Sequence, residues 1–133
     1  MTYDRAVSTQ KNLLISSAGI SLLIATIAGA VGSHALQVDE QGLRSFETAV
    51  HFQFFHGLGI VAITLVGLTG RGGSVRTAAA WLMLAGTLLF CGTIYARALG
   101  ATPGIVAAAP YGGVAFMLGW LAFAASPWIG ERQ

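Results

Sequence analysis

Residues 46–58 read FETAVHFQFFHGL, from Phe46 to Leu58. Two of the chain's three histidines stand here, with one of its five acidic residues and a glutamine, and no Asp, Glu, Lys or Arg follows until Arg71. An apolar run of that length spans a bilayer as a helix. Polar groups carried into lipid depth are costly, so they are functional candidates by default. At 100° per residue the helix divides into two faces. Glu47, Val50, His51, Phe54 and Leu58 fall on one side, with Glu47 and His51 an i,i+4 pair. Ala49, Gln53, His56, Gly57, Ile60, Thr64 and Gly67 fall on the other. The second face has the small and polar composition of a helix contact in lipid. It therefore predicts Gln53 and His56 inside a bundle, with Glu47 and His51 at headgroup level.

The rest of the composition agrees. Of 133 residues, 55% are hydrophobic and 9% charged, against about 25% charged in a soluble domain; the mean hydropathy is +0.72. These values predict an all-α integral membrane protein, an antiparallel four-transmembrane-helix bundle. The expected spans are about 13–31, 46–69, 77–97 and 111–128, and they fill one domain, residues 1–133, leaving no room for a soluble catalytic module. The net charge is only +2, and no basic stripe marks a nucleic-acid partner. A single cysteine, Cys91, excludes an internal disulfide, and its apolar surroundings predict a buried thiol.

Outward from the central stretch, residues 1–12 form a polar lead, and the first span follows as an uncleaved helix. Ser17, Ser21, Ala25 and Gly29 recur on it every fourth residue, a narrow face for close helix approach. Gly29, Gly32 and His34 lie at its end, His34 at the lipid–water boundary. Arg71–Arg76 is a basic turn before the third span, in whose last two turns Cys91, Tyr95 and Arg97 gather. Gly112, Ala115, Gly119 and Ala122 give the fourth span a small-residue stripe, and Trp120 and Trp128 suit lipid-facing or interfacial positions. Arg5, Lys11, Arg71, Arg76 and Arg132 lie on one side of the predicted membrane, Arg44 and Arg97 on the other. By the positive-inside rule both termini face the cytoplasm. His34, Glu47, His51, Gln53, His56, Tyr95, Arg97 and Tyr111 then share the extracytoplasmic side, as one candidate site.

Four stretches, GAVGSHAL (29–36), FETAVHFQFFHGL (46–58), LLFCGTIYARAL (88–99) and APYGGVAFMLGW (109–120), resemble in order and spacing the domain-of-unknown-function 423 family of small four-span membrane proteins. The resemblance implies the four-helix fold and implies no activity. Its glycine-rich segment ending in histidine falls on Gly29, Gly32 and His34, its histidine opening the second span on His56, and its paired glycines on Gly112 and Gly113. The resemblance implies a histidine-richer pattern, with histidine at the positions of Phe52 or Gln53. This chain departs from that pattern, which weakens a three-imidazole metal site on this helix.

Several readings of the polar residues stand side by side. His34 and His56 fix helix register by hydrogen bonds, or they bind a metal or haem with Glu47 or His51 as a further ligand. No HExxH, CxxC or CxxCH motif, nucleophile elbow or phosphate loop occurs. Arg97 snorkels to headgroups or pairs with Glu47. Gly112 and Gly113 serve a close helix crossing or a backbone anion site. The leading expectation is a non-enzymatic subunit in a bacterial cytoplasmic membrane, an accessory or assembly partner of other membrane proteins or a small self-associating oligomer, surrounded by lipid and requiring no cofactor. The alternatives are a metal- or haem-binding protein with a His/Glu site near the outer face, and an enzyme acting on lipid or quinone there through Glu47, His51 and Arg97.

Overall fold

The computed structural model describes residues 2–130, and among these all regular structure is helical. Four rods follow one another: α1 (Thr2–His34), α2 (Glu40–Val66), α3 (Gly73–Ala98) and α4 (Ala109–Ala125), the last preceded by a short 3₁₀ turn, Pro103–Ala108. The first three are long and apolar enough to cross a membrane. The fourth is more apolar still but has 17 residues, about 26 Å at 1.5 Å per residue. It stops at Ala125 rather than at 128, because Pro127 has no N–H to continue the ladder.

α1 takes in the polar lead as well as the first span. No glycine or proline interrupts residues 2–12, Asp4 in the first turn suits the helix dipole, and the Thr9 hydroxyl donates to the Arg5 carbonyl at 2.9 Å. α2 starts at Glu40, six residues before the expected membrane span. Asp39 caps it, its Oδ1 accepting the Gly42 N–H at 2.7 Å, a contact typically worth about 1 kcal/mol. An exposed Arg44–Glu40 pair at 2.9 Å lies on its first turns.

Between α2 and α3 the chain turns sharply. Gly72 has a φ of +72°, and a side chain there would run into the Ser126 carbonyl beyond α4, so only glycine fits. Arg76 is 8% exposed; its guanidinium donates to the carbonyls of Gly67 and Thr69, satisfying acceptors that the end of α2 leaves open. Read from sequence as one more basic residue at the membrane edge, Arg76 is instead a buried clamp. α3 is α-helical to Gly86, widens through one π turn over Thr87–Cys91 and resumes at Gly92. The Gly92 N–H reaches back to the Thr87 carbonyl, five residues instead of four. Thr93 donates its hydroxyl toward the carbonyls of Leu89 and Phe90, at 2.7 and 3.0 Å.

α2 and α3 lie at the centre. α1 packs along α2, and α4 packs along α3. Small residues set both seams: Ala18, Ser21 and Ala25 are buried on α1, Gly112 and Gly119 on α4. Leu14, Ala18, Ile60, Ile63, Leu68, Ala79, Ala80 and Met83 form one apolar core, joining α1, α2 and α3 near the Gly72 turn. Ala49, Cys91 and Phe116 form a second, toward the other end.

Candidate functional site

The inner face of α2 holds most of the residues expected there: Ala49, Gln53, His56, Gly57, Ile60 and Thr64 are buried, while Glu47 and His51 are exposed. Val50, expected on the Glu47 face, is buried as well, beside Gly29 of α1. Gln53 stands at the middle of the 27-residue helix, about 20 Å from its start. The buried polar groups therefore lie well along α2, away from the helix ends that carry His34 and Arg97. The Gln53 amide donates to the Ser21 carbonyl at 2.9 Å and toward the Ser21 hydroxyl at 3.2 Å, and its oxygen accepts the Tyr95 hydroxyl at 2.7 Å. One side chain thus joins α1, α2 and α3. The Phe46 ring, 4.9 Å from that of Tyr95, shields this ladder. A turn away, the Cys91 thiol donates to the Ala49 carbonyl at 3.3 Å.

His56 is 5% exposed and lies under α4. Its ring stacks on Phe116, centroids 3.4 Å apart and planes 18° from parallel, with Phe52 and Trp120 at 5.7 and 6.0 Å. Its Nδ1 lies 2.6 Å from the Phe52 carbonyl. A carbonyl only accepts, so Nδ1 carries the proton and neutral His56 presents a bare lone pair on Nε2. Phe52, Phe55, His56, Gly113, Phe116, Met117 and Trp120 line a cleft of about 470 Å³ beside this ring.

The other candidates are scattered. His34 ends α1 with an exposed side chain. Arg97, also exposed, borders a second cleft of about 540 Å³ with Asp39, Gln41 and Ser45. It makes no ion pair with Glu47; among the described residues Arg44–Glu40 is the one salt bridge. Among those residues, no three His, Cys, Asp or Glu side chains stand close enough to share a metal ion. The proposed ligands His34, His56 and Glu47 are not assembled, because two point outward while the third is pressed against Phe116. No second imidazole is among the rings around His56, so bis-histidine haem does not fit either.

Of the four glycines, Gly32 lies against the Phe46 ring, and Gly29 has only ordinary contact with Val50. Gly112 is pressed against Phe90 and Gly86, whereas Gly113 faces open space beside the His56 cleft. Gly112 is thus a packing residue, its neighbourhood filled by α3. Three participants went unmarked in the sequence reading: Ser21 as partner of Gln53, Phe116 as the plate under His56, and Arg76. Ser21 had a signal, since it lay on the small-residue face of α1; an aromatic such as Phe116 has none in so apolar a helix.

The family described as "Protein of unknown function (DUF423)" matches residues 28–113, a stretch holding Gln53, Tyr95, His56 and the π turn but not Ser21. The UPF0382 membrane protein YwdK of Bacillus subtilis is 33% identical over 77% of this chain and 85% of its own length. A UPF0382 membrane protein of Haemophilus influenzae is 30% identical over 86% and 92%. Another, SERP0230 of Staphylococcus epidermidis, is 33% identical over 77% and 84%. No solved structure matches the chain. With a family match across most of its length and full-length relatives that are membrane proteins, the chain is a multi-pass membrane protein and belongs to the DUF423 family.

Proposed function

We propose that this protein is a non-enzymatic membrane subunit that associates laterally, with a second copy or with other membrane proteins. The observation that carries this reading is the use made of Gln53. The most polar buried side chain of the central helix spends its amide on Ser21 and Tyr95, so its chemistry goes into holding three helices in register. α1 is covered on one side only. Leu13, Ile20, Leu23, Ile24 and Ile27 are exposed along it. In lipid such a face associates through packing rather than through the hydrophobic effect.

The membrane is the bacterial cytoplasmic membrane, with both termini inside. The lysine and arginine count supports this, five on the side of the termini against two on the other. Two experiments test the reading. Extraction from native membranes into lipid nanodiscs, followed by native mass spectrometry, is expected to give assemblies heavier than one 13.8 kDa chain; solitary monomers would overturn it. Gln41→Cys is expected to react in intact cells with an impermeant maleimide, and Ser74→Cys only after permeabilisation; the reverse pattern would invert the orientation.

A further inference from the structure

The cleft at His56 has a chemistry that the bundle itself does not use. His56 is a polar side chain 95% removed from solvent by the protein around it, being 5% exposed. Its Nδ1–H is committed to the Phe52 carbonyl, and Nε2 has no hydrogen-bond partner among the described residues. Nor is Nε2 sealed off: no unpartnered side-chain nitrogen or oxygen there is fully enclosed, and His56 is part of the cleft wall. A bare imidazole nitrogen at bilayer depth has no water to satisfy it, so a ligand that donates a hydrogen bond gains there what it would not gain in water.

Three features say what that ligand is. The cleft is walled by the rings of Phe52, Phe55, Phe116 and Trp120, which favours a flat, aromatic head. Gly113 forms part of the wall with no side chain, and nothing lies within 4 Å of where its Cβ would be, leaving room for such a head beside the backbone. Phe55 and Met117 at the mouth are 64% and 65% exposed on the lipid-facing surface, so entry is sideways from the bilayer. The volume, about 470 Å³, is within the usual range for a small-molecule site, about 300–1,000 Å³.

We propose that this cleft binds a membrane-soluble quinol, whose ring lies among the four aromatic side chains and whose phenolic O–H donates to His56 Nε2. The lone pair sets a preference. A quinol donates to it; the corresponding quinone, with carbonyl oxygens only, does not. The site therefore selects the reduced form.

The test uses the full-length protein in lipid nanodiscs, labelled with ¹⁵N-histidine and titrated under anaerobic conditions. The chain has only three histidines, so the unprotonated Nε2 resonance of His56 is identified by its loss in His56→Leu. A short-chain alkyl benzoquinol is expected to shift that resonance saturably. Its dimethyl ether, which keeps the ring and loses both donors, is expected to leave it in place and to bind about fivefold or more weakly. The oxidised quinone is expected to behave like the ether. Gly113→Leu, which fills the cleft from α4, is expected to abolish the shift while the resonance itself remains. The proposal is overturned if the quinol leaves the resonance unmoved, if the ether or a plain long-chain alcohol moves it equally, or if Gly113→Leu binds the quinol like the unaltered chain.

Discussion

A methyl group on Gly112 would stand 2.9 Å from the Gly86 carbonyl oxygen, and 2.5 Å from the Phe90 amide nitrogen; α3 and α4 meet backbone to backbone at the Gly86/Gly112 pair. Gly112→Ala has no flexible neighbour to displace and is expected to cost about 1–3 kcal/mol, the usual penalty of overpacking. Gly113→Ala, one residue on, enters open space and is expected to be neutral, or stabilising by up to about 1 kcal/mol through helix propensity. Unfolding by sodium dodecyl sulfate in mixed micelles separates the two.

Gln53 and Tyr95 offer a second comparison. Hydrogen bonds between transmembrane helices average about 0.6 kcal/mol, with a maximum near 1.7. A double-mutant cycle of Gln53→Leu and Tyr95→Phe is expected to return a coupling in that range. Zero coupling would mean that the 2.7 Å contact contributes nothing to the bundle.

Arg71 and Arg76 flank one turn and differ in consequence. Arg71 is exposed, whereas the Arg76 guanidinium is inside and bonded to two carbonyls. Arg76→Met is expected to cost about 2–3 kcal/mol, since two hydrogen bonds from a charged, buried donor are lost. Arg71→Met is expected to stay within about 0.5 kcal/mol of the parent. The same micellar unfolding assay reads both.

Cys91 is 1% exposed and faces the Ala49 carbonyl. Because it is the single cysteine, labelling reports on it alone. No reaction with N-ethylmaleimide is expected in the folded protein, and stoichiometric reaction after denaturation. Prompt labelling of the folded chain would show that the α2–α3 seam opens.

The sequence analysis located the rods and the inner face of α2, because a side chain that avoids lipid must be small or polar, and that leaves a 3.6-residue rhythm. Gln53 and His56 followed from the rhythm, and so did the outward Glu47 and His51. Depth and partnership left no such trace. Grouping His34, Arg97 and His56 assumed that residues on one side of the membrane share a pocket. His34 and Arg97 are exposed at the ends of their helices, however, while His56 is buried under α4. Arg76 was counted only as a charge, although an arginine four residues after a left-handed glycine is placed to reach back to the preceding helix end. The π turn has no composition of its own, because it follows from how α3 must face two neighbours at once.

That turn divides α3 into two lengths whose azimuths are set independently. Gly86 before it faces α4, and Tyr95 after it faces Gln53. Were residues 87–91 wound as ordinary α-helix, everything downstream would swing by about 100°, taking the phenol off the amide. Removing one residue inside the wide turn would restore normal winding while leaving both lengths aimed as they are. Within this rod, a single-residue deletion is therefore best absorbed there, and a deletion at any other point would have to break one seam to keep the other.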